Sequence, residues 1–294
     1  MSTFPSPDLS VIIPMYNAEK YIRDTVLSVI NQKSRSLSFE IIIVDDASSD
    51  SSVRLVNELC DPRIRLLTLE QNHGTAYARN TGMKAAKGKW IQFMDSDDRV
   101  SSNLYASLEA GLHETAGKGI NCFVFSMLYD FPDHQLRRTI KKIRDKRTVG
   151  RLYSACNVFF SKDICPDFPV DQHFEDICFL IDMMCEQDLK PALIPDAWYV
   201  YNKLNTDSKM ANFNAEAYRR AHDYILSRVS KCDRLTKMYI LESFAGILFW
   251  KEIPLKLRIA VVSKTLVRLF PYLHSVLLNG IRNDVKNERE PVTA

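Results

Sequence analysis

Lys89-Trp90-Ile91-Gln92-Phe93-Met94-Asp95-Ser96-Asp97-Asp98-Arg99-Val100 passes from an apolar strand into a carboxylate cluster with no spacer between them. Trp90 to Met94 reads as a strand buried in a sheet, and Asp95, Asp97 and Asp98 come at once after it. Carboxylates crowded at the end of a buried strand are costly unless a positive group lies among them, and a divalent cation is the simplest such group. Aspartate oxygens suit Mg²⁺ or Mn²⁺, which bind through one or two carboxylates and the phosphates of a substrate. A capped turn is the other reading, since Asp and Ser are favoured at helix N-caps and in turns. This stretch alone leaves both open.

The residues before it supply a sheet. Leu9 to Met15 and Phe39 to Val44 are near-continuous apolar runs, as in strands covered on both faces, and Ile64 to Leu69 is a third. Between them Ile22, Val26, Val29 and Ile30, and then Val53, Val56 and Leu59, fall at helical spacing, with Asn17 a candidate N-cap for the first helix. Thr75 to Ala86 forms a further helix leading into the opening strand. Strand and helix in alternation specify an α/β layer with right-handed crossovers, and in such sheets ligands bind beyond the carboxyl ends of the strands.

A second acidic turn, Asp45-Asp46-Ala47-Ser48-Ser49-Asp50, ends the second strand and so reaches the same edge. Two carboxylate clusters at one edge are harder to explain by capping than one. The chain has neither a Gly-x-x-x-x-Gly-Lys-Ser/Thr loop nor a Gly-x-Gly-x-x-Gly turn, so a metal must take the place of a glycine-rich phosphate cradle.

Composition bounds the alternatives. With 294 residues, 46% hydrophobic and 26% charged, the chain is that of a globular protein with a sizeable core. Seven cysteines, odd in number and without a Cys-x-x-Cys pair, suit a reducing compartment, where most serve as small buried apolar residues. Met1 to Ser10 lacks the features of a signal peptide and no long uninterrupted apolar run occurs, so a cytoplasmic location is expected. Net charge is +3, but residues 1 to 208 carry 24 Lys/Arg against 28 Asp/Glu, whereas residues 209 to 294 carry 15 against 8. The basic end suits an anionic neighbour, such as the headgroups at the cytoplasmic face of the inner membrane, or a solvated helical surface. Arg137 to Arg151 is also basic but lacks interleaved aromatic residues, which argues against nucleic acid and leaves a solvated hairpin or a loop receiving an anionic acceptor.

Four motifs in series carry a family resemblance. Ser10 to Asn17, Val44 to Asp50, Asn72-His73-Gly74 through Ala78-Arg79-Asn80-Thr81-Gly82, and Asp95-Ser96-Asp97-Asp98 resemble the family-2 glycosyltransferases, in the family's order, over about residues 9 to 208. The resemblance implies the A-type glycosyltransferase fold, a Rossmann-like mostly parallel sheet flanked by helices, here with a helical basic extension over 209 to 294. It further implies a UDP-sugar donor, Mn²⁺ or Mg²⁺, and a glycan or lipid-linked glycan acceptor.

Carried over by position, the resemblance places Pro14, Tyr16 and Asn17 at the nucleoside, Glu19 near the ribose, and Asp46 on the uracil imide. Arg79 would lie beside the nucleotide, Asp95 and Ser96 at the ribose or sugar, and Asp97 on the metal, while Asp98 would only cap the next element. In His173 to Phe179, Asp176 would be the catalytic base and Glu175 would hold the acceptor or neighbouring groups, with first-turn helix capping the plainer reading. Cys156-Asn157 resembles the segment that lets the acceptor approach. Lys203 to Ser208 departs from the family's Arg-x-x-x-x-Ser over the diphosphate, because lysine keeps the charge but not the bidentate fork.

The expected reaction is inverting transfer to a hydroxyl in bacterial surface polysaccharide synthesis. A polyprenyl-phosphate sugar transferase and a non-catalytic nucleotide-sugar-binding protein are the alternatives. Beyond residue 208 the pattern predicts helices over Tyr218 to Val229, Thr236 to Trp250 and Leu255 to Leu278, then a frayed polar tail from Asn283.

Overall fold

The computed structural model describes residues 6–143, 145–150, 154–170, 174–203, 215–246, 259, 261–263, 265 and 285–291. The first half alternates as its apolar periodicity requires: β1 (Leu9–Met15), α1 (Ile22–Ile30), β2 (Phe39–Asp45), α2 (Ser52–Asn57), β3 (Ile64–Thr68), α3 (Thr75–Ala85) and β4 (Trp90–Phe93). The remaining elements are β5 (Arg99–Val100), α4 (Leu104–Glu114), β6 (Cys122–Asp130), β7 (His134–Ile140), α5 (Arg147–Gly150), β8 (Val158–Ser161), α6 (Glu175–Glu186), β9 (Pro191–Asn202), α7 (Ala215–Arg228), α8 (Arg234–Gly246) and β10 (Val285–Pro291).

The strands form one sheet in the order β10-β7-β6-β8-β4-β1-β2-β3, with β9 beside β6 and β5. The β4-β1-β2-β3 half is parallel, and its helical crossovers cover both faces, which is why β1 is buried at every residue. Beyond β4 the pairing turns antiparallel through β8, β6, β7 and β10, and only β6–β9 is parallel. The Phe131–Asp133 link between β6 and β7 is too short for a crossover, so it makes a hairpin. Its second strand carries Arg137 and Arg138, in keeping with the hairpin reading of the basic segment.

Close packing of α3 fixes where the site lies. A Cβ on Gly82 would meet the Ile12 Cγ2 at 2.5 Å, so only glycine lets α3 rest this closely on β1 and β2. One turn earlier on the same helix, Arg79 is carried beneath the ends of the strands.

Two expectations are corrected. Within the tail expected to fray, Val285 to Pro291 adds to β7 as an antiparallel strand and supplies partners to a backbone edge that would otherwise have none within the sheet among the described residues. The expectation of reduced cysteines is corrected as well, because Cys185 near the end of α6 is bonded to Cys232, 47 residues away. That pairing comes from packing α6 on the end of α7, which leaves no mark in local spacing. Cys122, Cys156 and Cys178 are buried as expected. The predicted helix Leu255 to Leu278, with its proposed membrane contact, lies mostly outside the described residues. Among the described residues no helix is long and apolar enough to cross a membrane.

Candidate active site

The parallel strands β1 and β2 end level with each other, Met15 opposite Asp45. Two turns of unusual backbone come next, with Asn17 at φ +48° and Ala47 at φ +64°, a region L-residues enter at a cost of about 1–2 kcal/mol. Hydrogen bonds lock the two turns together. The Asn17 N–H donates to Ser48 Oγ at 2.9 Å and the Asn17 side-chain oxygen accepts from the Ser49 N–H at 2.9 Å. Glu19 accepts from the Ser51 N–H at 3.0 Å, and its own N–H donates to Asp50 at 3.0 Å. Asn17 therefore does not cap α1, which begins at Ile22 after Tyr21 with no side-chain cap bond. It is spent instead on joining the turns, with Tyr16 and Glu19 exposed beside it and Pro14 buried inside β1.

Asp46 is buried at the end of β2, where its two oxygens accept the backbone N–H groups of His73 and Gly74, each at 2.8 Å. Gly74, at φ +87°, turns the chain into α3. The first acidic turn thus holds the loop that launches the helix bearing Arg79.

The second acidic turn divides its carboxylates among different tasks. Asp95 accepts from Arg79 at 2.7 Å, and its N–H donates to the Tyr199 hydroxyl at 3.0 Å. The Ser96 carbonyl accepts from Thr25 at 2.9 Å. Asp97 is half-buried at the rim. Asp98 is not a cap but a buried group, taking the Asn202 N–H at 2.7 Å and lying against Tyr199, so it ties β9 to the acidic turn. Burial, and then the charges of Asp95 and Asp97, hold its carboxyl well above the usual range.

From the opposite side α6 brings Glu175 and Asp176 in its first turn, after Phe174 at φ +60°. Neither caps the helix. The Asp176 Oδ1 is paired with the Arg79 guanidinium, and its Oδ2 accepts from the Ala155 N–H at 3.3 Å. Burial raises the Asp176 carboxyl, Arg79 opposes that rise, and the charges of Asp95 and Glu175 add to it. Both ends of the Arg79 guanidinium are held by carboxylates, Asp95 and Asp176, whereas the resemblance places this side chain beside the nucleotide. Cys156 lies behind it with its Sγ 3.9 Å from Nη2, and burial pushes that thiol up.

Lys203 closes the rim after β9. Its Nζ sits 4.4 Å from the Tyr201 ring centroid and 5.7 Å from that of Tyr129, and burial lowers its pKa against the pull of Asp98. Residues 204–208 of the expected diphosphate segment lie outside the described residues, as does His173.

Sequence reasoning missed Tyr199 and Phe168, and it undervalued Asp98. Tyr199 sits within a strand of ordinary alternation, and Phe168 in an irregular stretch before α6, so neither carries a local signal. The residue type at the rim fits a hard divalent cation, because the Asp97 carboxylate offers oxygen ligands, whereas Asp95 is engaged by Arg79 and Asp98 is buried on the Asn202 N–H. Among the described residues no cluster of three or more His, Cys, Asp or Glu side chains forms a complete metal cage. Asp97 would hold such an ion jointly with substrate phosphates, which is how Mg²⁺ and Mn²⁺ sites commonly use one or two carboxylates.

The architecture agrees with known proteins. A glycosyltransferase of Haemophilus influenzae without an assigned activity is 32% identical over 201 residues, 64% of this chain and 75% of that protein. The minor teichoic acid biosynthesis protein GgaB of Bacillus subtilis is 28% identical over 76% of this chain but only 26% of its own length. The crystal structure of S. aureus TarS with UDP-GlcNAc superposes with a TM-score of 0.70 at 19% identity, covering 89% of this chain and 81% of that one, and so shares the fold. The family model for glycosyl transferase family 2 matches residues 10–164, more than half the chain and all four motif stretches, and the chain belongs to that family.

Proposed function

We propose that this glycosyltransferase moves a sugar from a UDP-sugar to a hydroxyl of a glycan or lipid-linked glycan acceptor, with inversion, in the synthesis of a bacterial surface polysaccharide. One arrangement carries the reading: Arg79 joins Asp95, from the acidic turn after β4, to Asp176, from α6, so a donor-side carboxylate and a base face one space. Asp46, with Pro14, Tyr16, Asn17 and Glu19 around it, would take the nucleoside, and Lys203 the diphosphate. The name of GgaB, for teichoic acid synthesis, and the UDP-GlcNAc held by TarS support the acceptor class and the donor.

In this reading Asp176 takes the proton of the acceptor hydroxyl as that oxygen forms its bond to the anomeric carbon. The bond from that carbon to the diphosphate breaks on the opposite face, and the nucleoside diphosphate leaves with the electron pair. Mn²⁺ or Mg²⁺ held by Asp97 would supply charge stabilisation to that leaving group. Asp95 orients the donor sugar, and Glu175 the acceptor. A thermal-shift series of nucleotide sugars, with and without Mn²⁺, tests the assignment: a UDP-sugar should raise the melting temperature more in the presence of the metal. No shift with any UDP-sugar overturns it.

A further inference from the structure

We propose that Arg79 is a positioning residue for the base and not a donor contact: its guanidinium stands behind Asp95 and Asp176, fixes one oxygen of each, and leaves their far sides to the substrates. This rests on the reading of Asp176 as the base.

Exposure gives the direction of approach. The Arg79 side chain is 3% exposed, whereas that of Asp176 is 21% and that of Asp95 is 33% exposed. Solvent, and therefore substrate, reaches the two carboxylates from the side away from the guanidinium. A ligand phosphate could touch Arg79 only by displacing one of them. The back of the guanidinium is closed as well, because its carbon lies 5.1 Å from the Phe168 ring centroid and Cys156 is beside it. Its Nε is buried without a hydrogen-bond partner among the described residues.

The neighbouring residues hold this wall in place. Asn80 accepts from the Phe168 N–H at 2.7 Å and donates to the Phe168 carbonyl at 2.9 Å, so the residue after Arg79 fixes the ring behind it. Gly82 lets the helix approach β1. The run Arg79-Asn80-Thr81-Gly82 is thus a support for a charge pair, with little left over for a ligand.

The chemistry comes from the charges around Asp176. Arg79 faces it from α3, Asp95 from the turn after β4, Glu175 from its own helix, the Ala155 N–H from the segment before β8, and the Cys156 thiol from the same segment. Arg79 is the one positive group in that set. It pins Asp176 Oδ1, so that Oδ2, held by the longer 3.3 Å bond from the Ala155 N–H, is the oxygen left to receive a proton.

The test uses full-length Arg79→Gln, Arg79→Lys and Arg79→Ala, with UDP titrated in the presence of Mn²⁺ and transfer or UDP-sugar hydrolysis measured against pH. The expected result for Arg79→Gln is UDP affinity within about threefold of the parent and turnover lowered about 100-fold or more. The acid limb of the rate profile should move to higher pH, because Asp176 would lose its counter-charge while Asp95 and Glu175 remain. Added guanidinium should restore part of the turnover of Arg79→Ala. Should Arg79→Gln not fold, Arg79→Lys carries the affinity and turnover arms of the test, since it keeps the charge without the fork and its acid limb should stay near the parent's. A tenfold or greater loss of UDP affinity in either variant, or an acid limb in Arg79→Gln or Arg79→Ala that stays where the parent's lies, overturns the proposal. Failure of the base assignment is seen separately, as transfer retained in Asp176→Asn.

Discussion

Asp46 Oδ2 accepts the backbone N–H of Gly74 at 2.8 Å while its Oδ1 accepts that of His73 at the same distance, so one carboxylate clamps the end of β2 to the start of α3. Each oxygen keeps a second lone pair, so the clamp leaves room for a base imide. In Asp46→Asn the amide NH₂ would face one of those N–H groups, donor against donor. Losing a charge-assisted bond and stranding a buried donor should cost about 1.5–3 kcal/mol in urea denaturation. UDP affinity should fall at least tenfold in the same variant, as the loop and the proposed imide contact go together. Lost stability with unchanged UDP affinity would show that Asp46 is a clamp alone.

With Asp176 as the proposed base, Asp176→Asn should reduce transfer by at least 100-fold and leave UDP binding within about threefold, since a base acts on the acceptor. The amide can still accept from one partner, so the variant should fold. Its pairing with Arg79 would lose the charge term, which shows as a modest fall in melting temperature. Transfer at the parent's rate would move the base role elsewhere.

Much of this site can be read from the chain, and the remainder has a physical reason for being hidden. The parallel strands were legible because burial on both faces demands continuous apolar runs, as in Val11-Ile12-Ile13 and Ile41-Ile42-Ile43. The acidic turns were legible because carboxylates at the end of such runs are costly. Partnerships were not. Arg79 reads as any helical arginine until α6 brings Asp176 to it from 97 residues away. Asn17 reads as an N-cap because its local chemistry is the same whether it caps its own helix or bonds to Ser49 in the next turn. Val285 to Pro291 reads as a frayed tail because its pattern is charged, and only the open side of β7 gives it a place.

Glu40 provides a prediction in pH. It is buried in β2, where burial alone would raise its pKa, but hydrogen bonds from Ser10, the Lys87 N–H and Arg65 outweigh that and lower it. Since the folded value lies below the ordinary one of about 4.3, its contribution is present at neutral pH and is lost as pH falls through the folded value. Glu40→Gln should therefore cost about 1.5–3 kcal/mol at pH 7 and progressively less towards pH 3, narrowing the gap to the parent. A gap that stays constant from pH 7 to pH 3 would show that the lost charge is not the cause.

The cysteines provide the last test. Cys185 lies at the end of α6 opposite Asp176, and its bond to Cys232 closes a loop across α7. A loop of 47 residues restricts the unfolded chain by about 4 kcal/mol in the chain-entropy account. Protein denatured without reductant should titrate five thiols, those of Cys60, Cys122, Cys156, Cys165 and Cys178, out of seven cysteines. Cys185→Ser should lower stability by about 2–4 kcal/mol. It should leave turnover at low temperature near the parent's, because the Asp182 contacts with Tyr224 at 2.5 Å and Arg228 at 3.0 Å still join α6 to α7. Seven thiols in the denatured, unreduced protein would return these two cysteines to the reduced state that their scattered spacing suggests. In that case the Asp182 contacts with Tyr224 and Arg228 are the principal polar tie between α6 and α7 among the described residues, and Asp182→Ala becomes the substitution that weakens it.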